Sequence, residues 1–202
     1  TNVTRISWPW NNDSDDDGGD DPIAQTFTIK KSAGGEGRFI TSIDVFFGAK
    51  DENVPVTMEI RNVVNGYPGP KVLPFGRVIK PAADITVDST GATATTFTFP
   101  SPVFAETETE YCFVLISYTP EHKVFIARMG EDDIVSGQVV SDQPAWGILF
   151  KSHNNTGWAI SPMEDIKYTL KCASFNSSGG ICTLTNDDLP VATLANDPVV
   201  IT

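Results

Sequence analysis

Residues 24–118 repeat one pattern. Short runs of alternating apolar and polar side chains are each cut off by Gly, Pro, Asn or Asp. In Val56-Thr57-Met58-Glu59-Ile60-Arg61, the first, third and fifth side chains are apolar and their neighbours are polar. Such alternation marks a strand with one buried face. Strands are predicted at residues 23–30, 38–48, 55–63, 75–80, 93–99, 110–118, 123–128, 146–150 and 165–175. The run Tyr111-Cys112-Phe113-Val114-Leu115-Ile116 is apolar on both faces, as a central strand covered on both sides would be. Asn65-Gly66-Tyr67-Pro68-Gly69-Pro70 gathers turn formers, because Pro fixes φ and Gly supplies positive φ. No long amphipathic helix is read; residues 129–138 could hold one helical turn. Many short strands with frequent turns predict an all-β fold, an antiparallel two-layer β-sandwich of jelly-roll type.

The sandwich is assigned to residues 22–175. Phe27, Ile29, Ile43, Val45, Met58, Ile60, Phe113, Leu115, Tyr168 and Leu170 are its predicted interior. A chain of 202 residues can hold one such domain with tails. Residues 1–21 contain Trp8-Pro9-Trp10 and then a run of Asp, Asn, Ser and Gly, read as a solvated linker or docking arm. Residues 176–202 are broken repeatedly by Asn-Asp and Pro, and read as an extended tail leading to a partner or a further domain. No secretory leader is read at the start. Thr1 in place of Met points to a processed chain or to a piece of a longer one.

The formal net charge of −12 disfavours nucleic acid and anionic membrane surfaces, which need a basic footprint. No apolar run approaches about 18 residues, so no membrane-spanning helix is expected. Three cysteines are too few and too scattered for a disulfide scaffold. Cys112 reads as a small buried hydrophobe, whereas Cys172 and Cys182 could meet across a hairpin.

Little in the chain suggests catalysis. Asp13-x-Asp15-x-Asp17-Gly18 opens like a calcium loop, but the closing bidentate position falls on Ala24, which cannot ligate. His122 and His153 lack partners at zinc-ligand spacing, and no Gly-x-Ser-x-Gly elbow occurs. The carboxylates Glu106, Glu108 and Glu110, and Glu131, Asp132 and Asp133, read as solvent-facing groups rather than a glycosidase pair. No catalytic residue, metal site or cofactor is assigned, and the chain is not expected to be an enzyme. Tyr118, Trp146 and Trp158 are the candidates for stacking on a sugar ring. The simpler reading has Trp146 opening a core strand and Trp158 capping the sandwich. Trp8 and Trp10 are candidate anchors for a protein partner, or pack back on their own domain.

The order of several motifs resembles a β-sandwich domain of virion structural proteins in contractile-tailed bacteriophages, in baseplate-wedge or tail-fibre-associated chains. That group is similar in turn to non-catalytic β-sandwich modules of bacterial surface proteins. The matching pieces begin with Asp21-Pro22-Ile23-Ala24-Gln25-Thr26-Phe27 and Thr41-Ser42-Ile43-Asp44-Val45-Phe46-Phe47. Pro55-Val56-Thr57-Met58-Glu59-Ile60-Arg61 and Asn65-Gly66-Tyr67-Pro68 follow. Thr109-Glu110-Tyr111, Gly147-Ile148-Leu149-Phe150-Lys151-Ser152 and Asn186-Asp187-Asp188-Leu189-Pro190 complete the set, over about three quarters of the chain. The acidic run at residues 11–21 stands outside it. The resemblance implies a non-catalytic, protein-binding structural module of a phage tail, located in the virion, with other virion proteins or further domains of a parent chain as partners. The alternative expectation is a carbohydrate-binding module of a receptor-binding or cell-surface adhesion protein.

Overall fold

The computed structural model describes residues 5–7, 21–31, 36–141, 147–153 and 157–175. Thirteen strands and one 3-10 turn are found there, with no α-helix among the described residues. The strands are β1 (Arg5–Ser7), β2 (Ile23–Thr28), β3 (Gly37–Val45), β4 (Phe47–Ala49), β5 (Val56–Val64), β6 (Tyr67–Lys80) and β7 (Thr95–Glu106). They continue with β8 (Glu110–Ile116), β9 (Lys123–Arg128), β10 (Leu149–His153), β11 (Gly157–Ser161), β12 (Glu164–Ile166) and β13 (Tyr168–Cys172).

One layer of the sandwich is a six-stranded sheet in the order β11-β10-β2-β8-β5-β6. The other combines a three-stranded sheet, β13-β3-β7, with a sheet in which β9 pairs β1, β12 and β4. Every strand-to-strand ladder is antiparallel. The chain repeatedly crosses between layers, as at β2 to β3, β6 to β7 and β8 to β9. Antiparallel sheets packed face to face and joined by such crossings make a β-sandwich.

The second layer changes sheet at two single residues, Phe46 between β3 and β4, and Lys167 between β12 and β13. The two meet. The Phe125 N–H donates to Phe46 O, the Lys167 N–H donates to Phe125 O, and Lys167 Nζ stands 4.5 Å from the centre of the Phe46 ring. Both strands therefore switch sheets against the same residue of β9, and a cation–π contact closes the seam.

Between the layers lies a core containing Phe27, Ile43, Met58, Ile60, Phe97, Phe113, Leu115, Val124, Ile126 and Ile166. All ten residues predicted inside belong to this core or pack against it; Tyr168 and Leu170 do so from half-buried positions. The opposite face of the six-stranded sheet carries a smaller cluster, Ala24, Cys112, Val114 and Phe150, joined by Val63, Ile116, Ile148 and Trp158. So β8 is covered on both faces, as its sequence implied.

Several strand boundaries differ from the sequence reading. The turn at residues 65–70 is confined to Asn65 and Gly66, whose φ values of 52° and 80° make the tight reversal of a hairpin. β6 starts at once and runs through Pro68, Pro70 and Pro74. It tolerates them because it is the edge of its sheet, where a missing N–H breaks no ladder on the open side. β7 continues through Pro100 and Pro102 on another sheet edge. The helical turn considered at residues 129–138 is instead a loop with an Asp132–Val139 bridge, while a 3-10 turn forms at Ala82–Asp84. Within the segment read as an arm, Arg5–Ser7 forms a strand on β9. The Asp-rich run at residues 11–20, the tail at 176–202 and Cys182 lie outside the described residues.

Candidate functional site

Of the aromatic residues singled out from sequence, Trp8, Trp10 and Trp146 lie outside the described residues. Tyr118 sits in the β8–β9 connection and is 69% exposed. Trp158 lies on β11 opposite Ser152 of β10. It is half-buried, with its ring edge-on to Phe150 at 6.4 Å and an interplanar angle of 86°. Tyr67, from the start of β6, approaches the same Phe150 ring at 5.7 Å. Trp158 thus packs on the small outer cluster. The ladders bring Trp158 and Tyr118 to the same end of the six-stranded sheet, with β10 and β2 standing between their strands.

The structure also builds a charged site that sequence did not reveal. β10 alternates Leu149 and Lys151 toward the sandwich interior, and Lys151 there meets β12. Its Nζ lies 2.6 Å from Glu164 Oε2, with both side chains buried. Arg128 Nε, from the end of β9, reaches Glu164 Oε1 at 3.3 Å, and its Nη1 holds Glu131 Oε1 at 3.0 Å. The antiparallel pair Glu164 and Arg128 sets this geometry. A cleft of about 360 Å³ opens over the group, walled by Ala159, Ile160, Pro162 and Met163. Glu164 bridges two cations, so the group is balanced in charge and knits β9, β10 and β12 together.

Beneath it, Gln25 of β2 ties the layers. Its Nε2 donates to Asp165 Oδ1 at 2.8 Å, and its Oε1 accepts the Ile166 N–H at 2.9 Å. The other carboxylate oxygen, Asp165 Oδ2, is buried without a hydrogen-bond partner. Burial raises the Asp165 carboxyl to about 6 against the opposing effect of the Gln25 bond. Burial, and then the Asp165 charge, raises the Tyr168 hydroxyl to about 12. A carboxyl poised near neutrality is a frequent catalytic feature. Asp165, however, is only 7% exposed and is not among the residues lining the cleft.

His122 is fully buried. Its Nε2 lies 2.9 Å from Val54 O, and its Nδ1 accepts the Asp51 N–H at 3.2 Å. That pairing requires a neutral ring protonated on Nε2. Burial holds its pKa below the usual value. Asp51 caps the same turn, accepting from the Asn53 and Val54 N–H groups and from the Thr119 hydroxyl. His122 therefore fastens the β4–β5 connection to the one before β9.

The two carboxylate groups noted in the sequence separate. Glu106, Glu108 and Glu110 are exposed around the β7–β8 turn. Asp133 is buried and accepts the Val135 and Ser136 N–H groups, while Glu131 pairs with Arg128. Among the described residues no three His, Cys, Asp or Glu side chains form a metal-binding group. Cys112 has no exposed surface, and burial pushes its thiol up to about 12. Cys172 is exposed at the end of β13.

One sequence signal could have located the charged site. Lys151 occupies an inward position of an otherwise apolar strand, and a Lys there needs a buried acid. Its partner lies beyond a hairpin, at a separation that carries no motif. Comparison with known proteins gives no match: no family model, no curated protein and no solved structure corresponds significantly to the chain.

Proposed function

We propose that this domain is a non-catalytic, protein-binding structural module of a phage tail assembly, of the baseplate or tail-fibre-associated kind. The supporting observation is where its chemistry-bearing side chains are spent. Lys151, Glu164, Gln25, Asp165, His122 and Asp51 all make contacts that tie strands, layers and connections to one another. Trp158 is likewise engaged with Phe150. A body braced in this way suits a rigid unit that positions its terminal segments for neighbours. The ordered motif resemblance adds the assembly context.

In this reading residues 1–21 and 176–202 make the specific contacts with other virion proteins or with further domains of a parent chain. The test is a truncation to residues 22–175. The body should keep its β circular dichroism and cooperative unfolding, at a stability lowered by the loss of the Arg5–Ser7 ladder on β9, while incorporation into the parent assembly is lost. Trp8→Ala with Trp10→Ala should impair incorporation more than neutralising the neighbouring aspartates, since apolar anchors dominate interface energy.

Tyr118 favours a second reading, a carbohydrate-binding module on a cell-surface or receptor-binding protein. Its ring is 69% exposed at the end of the sheet that also carries Trp158. A glycan array separates the two readings. Saccharide binding abolished by Tyr118→Ala or Trp158→Ala, and retained by the 22–175 body, would replace the structural reading.

A further inference from the structure

β9 contains Val124, Phe125 and Ile126, none of which has exposed surface. A strand so placed needs partners for the backbone groups on both of its edges. On one edge the Phe125 N–H donates to Phe46 O at 2.9 Å, and Phe125 O accepts the Lys167 N–H at 2.9 Å. Antiparallel alternation turns the N–H and C=O of Val124 and Ile126 to the other edge. There Arg5–Ser7 adds itself, Ser7 opposite Val124 and Arg5 opposite Ile126.

This added strand is short, and a run of sequence separates it from the body. Three residues form the ladder, and each peptide hydrogen bond contributes only about 1 kcal/mol net. Residues 8–20 connect it to the body, and thirteen extended residues reach up to about 45 Å. That reach exceeds the roughly 15 Å radius of gyration of a body this size. A brief backbone ladder so many residues from the body can be satisfied by the same segment from a neighbouring molecule, because the acceptor reads backbone geometry and not the origin of the strand.

We propose that the outward edge of β9 is a strand-acceptor site for the Arg5–Ser7 segment of a second copy of this chain, so that adjacent copies are joined by strand exchange. The inference rests on the β1–β9 ladder and is independent of the assembly reading. At low concentration the segment fills its own site, since a strand of the same chain competes at an effective concentration of about millimolar. Exchange takes over where copies are crowded.

The test uses the full chain. Arg5→Pro with Ser7→Pro removes both N–H donors of the ladder and leaves the core residues unchanged. This variant, immobilised, should bind wild-type chain at least ten-fold more tightly than it binds further copies of itself. Its Val124 and Ile126 amides should exchange with deuterium at least ten-fold faster than in wild type, and regain protection when wild-type chain or a synthetic peptide of residues 1–10 is added. Light scattering on wild type alone should show dimer rising between about 10 μM and about 1 mM, as the copies approach that effective concentration. Equal binding of both analytes, unchanged amide exchange, or wild type remaining monomeric at the upper concentration would each overturn the proposal.

Discussion

The two faces of β8 are both buried, and by different means. Its inner face places Tyr111, Phe113 and Leu115 against the second layer. Its outer face, with Cys112 and Val114, packs in a small cluster with Ala24 and Phe150, joined by Val63, Ile116, Ile148 and Trp158. Tyr67 of β6 reaches the Phe150 ring, and Cys112 Sγ lies 3.8 Å from Arg61 O and 3.9 Å from Asn62 O of β5. The inner core joins strands that are distant in sequence and admits polar ties such as Gln25 to Asp165. The outer cluster is small and its named members are mostly apolar. An apolar strand announces burial without announcing what buries it.

The largest expected effect tests the inner face. Phe113→Ala removes a fully buried ring that packs at 5.0 Å on Tyr168 and at 6.5 Å on Phe27. It should cost about 3–5 kcal/mol in urea unfolding, the range for buried Phe truncation. A cost near that of Cys112→Ser would dissolve the distinction between the faces.

Asp165→Asn probes the polar tie of the same core. The folded carboxyl sits at about 6 against an ordinary 3.8, so the folded chain holds this proton more tightly than the unfolded chain does. Its favourable contribution is full below about pH 4 and is lost as pH rises through about 6. An Asn keeps the acceptor for Gln25 without the buried charge. The variant should gain on wild type between pH 4 and pH 7, up to a ceiling of about 3 kcal/mol at 1.36 kcal/mol per pH unit. Denaturation midpoints across that range check it, and a gain independent of pH would show that the carboxyl is not the cause.

On the outer face, Cys112→Ser places a hydroxyl in an apolar cluster and should cost about 1–3 kcal/mol. The native thiol, raised to about 12, should label only as fast as the chain opens. Rapid labelling of folded protein would mean that the outer face is accessible.

The smallest effect concerns His122, which lies outside both faces of β8. Its ring is neutral in the fold, so its contribution is present above about pH 6.5 and is lost as pH falls through its lower folded value. His122→Gln keeps a donor for Val54 O and an acceptor for the Asp51 N–H. It should flatten the acid-side fall in stability relative to wild type, measured on the same pH series.

Much of the fold was legible because alternation is a local property. Val56, Met58 and Ile60 share a face wherever their strand is placed, and the apolar run 111–116 required cover on both sides. The candidate site was less legible. Lys151 was not read as an inward cation, and Glu164, Arg128 and Gln25 are joined to it by ladders that sequence does not specify. The aromatics were visible as residues, but the engagement of Trp158 with Phe150 depends on the pairing of β10 with β11. The positions of Pro68, Pro70, Pro100 and Pro102 within strands were hidden because Pro reads as a breaker unless the strand is known to be an edge.

The sequence by itself determined an all-β chain, its interior positions and its acidic charge, since these follow from side-chain period and composition. The tertiary structure decided which strands became neighbours, that β3–β4 and β12–β13 change sheets at Phe46 and Lys167, and that Arg5–Ser7 completes β9. It decided too that Asp165 would be left with one unpaired oxygen. The strand neighbours and the sheet changes depend on backbone groups meeting across long sequence separations, and backbone groups are alike at every residue except Pro, so the sequence carries almost no mark of which will meet.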